Sequence, residues 1–289
     1  MDIEQLYVEL KPLLFSLAYQ ILGSVTDAED IVQDTFMSLH ENEPTDTQFI
    51  KAYMCKVVTN KCLNKLKSSS KQREMYVGPW LPEPLVTRRN NTNDPLEQFI
   101  SKESTSTAYL LLLQQLSAVE RVVFLLRELF SYRFEEIASI IDKSSGNSRQ
   151  IFYRAKKRIG SASKKNTVPR NISTTLTEQF VSAIATGNIN SLLTILSTES
   201  VLYTDGGGKT NAALRPIVGQ ELIIRYFTTV RDKVPAHFEC FVHEINGNPG
   251  IIIKIGELTF SVISFQIKEN TISDIYIVMN PEKLYHLNK

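Results

Sequence analysis

RFEEIASIIDKSSGNSRQIFYRAKKRI, residues 133–159 of a 289-residue chain, reads as two short helices around a tight polar turn. On a helical wheel over 148–159, Ile151, Phe152, Ala155 and Ile159 share one arc. Arg149, Gln150, Tyr153, Arg154, Lys156 and Lys157 fill the opposite arc, and Ser148, at the start of the helix, is expected with them as a DNA contact. The apolar arc lets this helix pack on FEEIASII. The free arc offers guanidinium and amide groups that match guanine and adenine edges, and ammonium groups for phosphates. A short turn containing Gly146 between the two predicts a helix-turn-helix. A basic surface helix in a plain helical hairpin would show the same pattern, so the rest of the chain has to decide.

Charge narrows the choice. The formal net charge is only +1, but residues 1–46 carry ten acids against one base, Lys11. Residues 51–73 carry seven bases and no acid, and 143–165 carry eight bases and no acid. One acidic and two basic blocks in a nearly neutral chain imply two kinds of partner surface. Apolar content of 43% and charged content of 22% are those of a globular protein. No apolar run reaches the roughly 18 residues a membrane helix needs, and the acidic N-terminus lacks the zones of a signal peptide. The reading is of a soluble, cytoplasmic protein. Cys55, Cys62 and Cys240 form no CxxC pair and no metal-ligand set, so three reduced, buried thiols are expected, with no metal and no cofactor.

The acidic block contains TDAEDIVQDTFMSLH (26–40), where Thr26 and Glu29 form a capping box and acids sit in the first turn. Ala28, Ile31, Val32, Thr35, Phe36 and Leu39 make one buried stripe at helical spacing, and Asp27, Asp30 and Asp34 fall on the other side. In the first basic block, Lys56, Asn60, Asn64 and Lys67 share a face with Lys61 beside it, opposite Met54, Val58 and Cys62. Amides and ammoniums on one face suit a nucleic-acid backbone and unpaired bases; a solvated face is the plain alternative.

Prolines 79, 82, 84 and 95 break the helical pattern and mark a linker over 75–98. Its WLPEP, Trp80 to Pro84, holds the one tryptophan, and an aromatic among prolines is expected to dock. Helices resume to residue 165, and a second linker is expected over 166–174. From 175 onward, helical segments give way after 236 to β-branched runs separated by Asn-Gly-type turns, which predicts an α+β domain.

An acidic capped helix, a basic helix, a linker and a basic helix-turn-helix, in that order, resemble the extracytoplasmic-function sigma factors of bacterial RNA polymerase. DAEDIVQDTF is similar to their polymerase-docking helix, TNKCLNKLK to the segment that reads the −10 element, and 116–159 to the −35-reading domain. WLPEP, DGGGK (Asp205, Gly206, Gly207, Gly208, Lys209) and NPEKL (Asn280, Pro281, Glu282, Lys283, Leu284) further resemble a subgroup with a fused SnoaL-like domain. The resemblance implies two all-α sigma domains, 1–74 and 99–165, then an α+β cone over 175–289 with a curved antiparallel sheet. It implies core polymerase and promoter DNA as partners, docking at Asp27, Asp30 and Asp34, no catalysis, and regulation in cis by the cone. Glu282 stands where Asp is the commoner residue, and the −10-reading segment lacks the usual arginines, which leaves promoter preference open.

Two rivals remain. A helix-turn-helix regulator that senses a small molecule in its C-terminal domain would need no polymerase-docking helix. An enzyme fused to a DNA-binding module would need a general base, for which Asp205, His237 or His243 are the candidates. A nucleotide phosphate loop at DGGGKT is excluded on spacing, because Tyr203 stands where its first glycine belongs and Pro216 follows where a helix should run. The expectation instead is a glycine clasp between the C-terminal domain and the sigma-like part, with a plain β-turn as the alternative.

Overall fold

The computed structural model describes residues 3–41, 50–69, 74–87, 106–160, 168–231 and 238–288. They fall into two units. One holds residues 3–74 and 109–160; the other holds 75–87, 106–108 and 168–288. His237 and the whole of residues 88–105 lie outside the described residues.

The first unit opens with α1 (Ile3–Leu22), α2 (Val25–Glu41) and α3 (Ile50–Ser68). Gly23, at φ +71°, turns the chain between α1 and α2. Ser24 then caps α2, its hydroxyl accepting the Asp27 amide at 3.1 Å, two residues before the expected Thr26–Glu29 box. The earlier serine wins because the helix begins at Val25, which places Thr26 inside its first turn. The stripe from Ala28 to Leu39 is buried, as are Met54, Cys55, Val58 and Cys62 on α3.

After β1 (Val86–Thr87), which belongs to the second unit, the helices continue as α4 (Thr107–Gln114), α5 (Ala118–Glu128), α6 (Phe134–Ile141) and α7 (Ser145–Ile159). Ser117 and Glu120 form a full capping box on α5. Asp142, in the left-handed region at φ 55°, closes α6, and Ser144 caps α7 through the Asn147 amide at 3.2 Å. Gly146 therefore lies in the first turn of α7 and not in the connecting turn. Phe152 of α7 stacks with Phe124 of α5 and meets Phe134 of α6 edge-on, which fixes the helix-turn-helix.

Both helical groups share one interior. Arg121 of α5, only 4% exposed, donates to Leu113 O at 2.9 Å, and a second guanidinium nitrogen reaches Ile21 O, at the end of α1. Cations suit that position because the carbonyls at a helix C-terminus carry partial negative charge. Cys55 of α3 is hydrogen-bonded to Tyr132 in the α5–α6 connection, and burial pushes both groups' pKa values up.

The second unit continues with α8 (Arg170–Thr186), α9 (Ile189–Ile195), β2 (Leu196–Asp205), β3 (Ile217–Val218), α10 (Gln220–Arg231), β4 (Phe238–Ile245), β5 (Asn248–Ile255), β6 (Leu258–Lys268) and β7 (Thr271–Val278). A short helix, α11 (Pro281–Leu284), and a 3-10 turn follow. α8 starts at Arg170, inside the segment expected as a linker, because Pro169 is tolerated at a helix start. The strand order is β1-β4-β5-β6-β7-β2-β3, an open sheet. Pairing is antiparallel except between β2 and β7, which run parallel in register from Val201–Asp274 to Asp205–Val278. This one pair departs from the antiparallel sheet that the resemblance implies, and the whole β3-to-β6 excursion acts as the crossover that parallel neighbours require. Phe180, Phe227 and Phe265 meet edge-on at the centre of an aliphatic core. Cys55 and Cys62 are buried free thiols, whereas Cys240 is exposed on β4 against expectation, since that strand is open on both faces at 238–243.

Candidate nucleic-acid interface and linker clasp

On α7, Arg149, Gln150, Tyr153, Arg154, Lys156 and Lys157 are exposed, and Ile151, Phe152, Ala155 and Ile159 are buried. The two faces lie where the wheel puts them, and one expected DNA contact falls on the buried side. Ser148 is buried and its hydroxyl donates to Ser144 O at 3.0 Å, so it braces the first turn and presents nothing outward. Lys156 also lies 3.4 Å from Glu128, and the guanidinium of Arg149 sits 5.3 Å from the Phe134 ring centre, which holds its side chain across the turn. Arg158, outside the expected set, pairs with Glu120 at 3.1 Å. Burial works to raise the Glu120 carboxyl, but bonds from Ser117 and the charge of Arg158 outweigh it and hold the pKa below normal.

On α3, Asn60, Asn64 and Lys67 are exposed and Lys56 is half-buried, all on the expected face. Two lysines off that face turn toward α2: Lys61 at its margin, and Lys65 on the side of Met54 and Val58. Lys65 Nζ lies 2.8 Å from Asp27, and Lys61 Nζ lies 3.9 Å from Asp34 and 3.4 Å from the Ser38 hydroxyl. Among the acids of α2, Asp30 is exposed and has no ion pair among the described residues.

The glycine loop after β2 closes on the linker. Asp205 is wholly buried, and both its carboxylate oxygens are used. Oδ1 accepts the Tyr76 hydroxyl at 2.5 Å; Oδ2 accepts the Leu81 amide at 2.8 Å and Lys283 Nζ at 2.7 Å. Lys283 also donates to Leu81 O, and its ammonium lies 4.0 Å from the Trp80 ring centre. Asn280 caps α11 and donates its side-chain amide to the Tyr76 oxygen at 2.9 Å. The backbone completes the knot, with the Met279 and Asn280 amides both donating to Asp205 O. Lys209 and Glu282 pair across the outside. Burial, and then the neighbouring Asp205 carboxylate, push the Tyr76 phenol far up, so it stays a donor.

The glycines are there for contact. Gly207 and Gly208 have φ of +58° and +71°. A Cβ on Gly207 would overlap the Asn280 amide; one on Gly208 would come within 3.2 Å of Val77, and one on Gly206 within 2.7 Å of Thr210. Leu81, Pro82, Glu83 and Pro84 are buried within the second unit, and His286 Nε2 lies 2.9 Å from Pro84 O. Thus Trp80–Pro84, Asp205–Lys209 and Asn280–Leu284 come together at one place, with Pro281 opening α11 and Leu284 buried at its end. Tyr76 and Lys65 were not among the expected residues, and neither had a local signal, since their partners lie far along the chain.

The chain matches the sigma-70 region 2 model over residues 6–72 and a sigma-70 region 4 model over 106–159. It is 31% identical, over 75% of its length and 69% of the relative's, to the extracytoplasmic-function RNA polymerase sigma factor SigJ of Mycobacterium tuberculosis. The chain therefore belongs to the extracytoplasmic-function RNA polymerase sigma factors. A probable sigma factor of the same organism, SigI, is 24% identical over 94% of this chain and 91% of its own. The crystal structure of Mycobacterium tuberculosis SigJ superposes with a TM-score of 0.79 at 25% identity, covering 97% of this chain and 98% of that one. Such coverage includes the C-terminal sheet domain, so the whole architecture, and not the helical part alone, is of the SigJ type.

Proposed function

We propose that the protein binds core RNA polymerase through the α2 face bearing Asp27, Asp30 and Asp34, reads the −10 element with α3, and reads the −35 element with α7. The observation that carries this reading is the α7 face, where six polar and basic side chains stand exposed on a helix whose other side is locked by three phenylalanines. Asp30→Lys with Asp34→Lys is expected to weaken core binding at least tenfold in a pull-down titration without unfolding, because both are exposed. Unchanged affinity would move the docking site elsewhere.

The clasp supports regulation in cis. It fastens residues 76–87 to the C-terminal domain, and Thr107, just beyond the linker, is hydrogen-bonded to Ser264 of β6 at 2.8 Å. Fastening twelve linker residues withdraws about 40 Å of extended chain from the tether joining the two DNA-reading modules. Release of the clasp then favours the separated form that a promoter selects. An enzymatic reading of the C-terminal domain loses its best candidate base, because Asp205 is saturated by Tyr76, Leu81 and Lys283. His243 lies on the exposed stretch of β4, outside the core.

A further inference from the structure

We propose that Asp27 and Asp34 hold Lys65 and Lys61 off DNA in the free factor, and that polymerase docking on those carboxylates releases both lysines to phosphates. The proposal rests on the docking and DNA-reading assignments just made, and it adds Lys65 as a DNA contact.

α2 and α3 run antiparallel, so the ends of the ladder match: Asp27 with Lys65, Asp34 with Lys61. The rungs are seven residues apart on α2 and four on α3, about 10 Å against 6 Å. The mismatch explains why one rung is tight, at 2.8 Å, and the other loose, at 3.9 Å with Ser38 sharing the ammonium. At 100° per residue, Lys61 lies about 60° around α3 from Asn64, and Lys65 about 100° from it. A lysine stem laid along the helix surface can carry its ammonium from α2 toward the Asn64 edge of the DNA-facing strip.

The pairs are suited to exchange. Their four side chains are 30–66% exposed, so neither rung is a buried structural ion pair, and a docking cation can displace each ammonium without opening the core. Asp30, one turn from both acids and free of an α3 partner, can receive the docking partner first. Two positive charges are then returned to the DNA face only when the polymerase is present. By linkage, DNA held by those lysines must tighten polymerase binding by the same factor.

The test uses the full chain, purified core polymerase and a fluorescein-labelled single-stranded 20-mer of mixed sequence, since phosphate contacts need no promoter. Asp27→Asn with Asp34→Asn is expected to raise the free factor's affinity for the strand about three- to tenfold, and to steepen its log–log salt dependence by about 1.4. Glu9→Gln with Glu29→Gln removes the same charge from acids that hold no lysine among the described residues, and should give a smaller rise with no change in slope. Lys61→Gln with Lys65→Gln should leave the free factor's slope unchanged and flatten that of the holoenzyme. If the Asp27/Asp34 variant matches its charge control in affinity and slope, the masking is refuted, whatever its polymerase affinity. If the slope steepens while polymerase binding is unaltered, masking stands but release by docking is refuted, together with the docking role of these two acids.

Discussion

Replacing Lys283 by Met removes one atom group from the centre of the clasp and leaves its apolar stem nearly intact. Lys283 is 7% exposed and Asp205 0%, so the pair is buried, and stripping one partner from such a pair typically costs about 3–5 kcal/mol. Asp205 retains two donors, the Tyr76 hydroxyl and the Leu81 amide, which keeps the expected loss near the lower figure, about 3 kcal/mol. Part of that loss is the ammonium's contact with Trp80 at 4.0 Å. The chain has one tryptophan, and it stands at this site, so urea unfolding followed by Trp80 fluorescence reports on the second unit alone. The midpoint should fall by about 1–3 M for a urea dependence of about 1–3 kcal/mol per molar. Adding Asp205→Asn should recover about 2 kcal/mol, because the orphaned charge is gone. The Leu81 amide, which donates to Asp205, should exchange with deuterium faster in the single variant than in the double. A Lys283→Met midpoint equal to wild type, or a double variant no better than the sum of the singles, would refute the clasp as the element that holds the linker.

Gly207→Val combines a positive φ with overlap on Asn280, and should destabilise the second unit by about 2–4 kcal/mol in the same fluorescence assay while raising transcription at low salt. Arg149→Ala should cost about 1–3 kcal/mol and relax selectivity at one upstream base pair. Lys157→Ala should instead weaken all duplexes alike and reduce the salt slope by about 0.9, which a fluorescence anisotropy titration separates cleanly. Ser117→Ala removes the α5 capping box and should cost the first unit about 1 kcal/mol by circular dichroism.

The helix-turn-helix was legible because its determinants are local. An apolar arc and a basic arc at 3.6-residue spacing say which side of α7 is buried before any partner is known. Ser148 shares the buried arc with Ile151, Phe152, Ala155 and Ile159 on the same wheel, so its burial was legible at helical spacing; its hydroxyl type and place at the helix start had set it among the DNA contacts. The pairing of Lys61 and Lys65 with α2 was hidden for a different reason. Each wheel describes one helix, and whether a polar side chain faces solvent or a neighbouring acid depends on how two helices pack. The clasp was half legible: WLPEP, DGGGK and NPEKL were known to belong together by resemblance, but Tyr76 lies 129 residues from Asp205 and leaves no periodic trace. The parallel pairing of β2 with β7 was hidden likewise, since strand texture carries alternation and not partner choice.

The most direct test is to add the purified chain to core polymerase on a library of genomic DNA fragments and map the 5′ ends of the RNA. The account expects new 5′ ends that require the chain and share two upstream sequence blocks, the distal block weakening with Arg149→Ala and Arg154→Ala. Transcripts identical to those of core polymerase alone, from a chain shown to be folded by circular dichroism for its helical unit and by Trp80 fluorescence for its second unit, would contradict it.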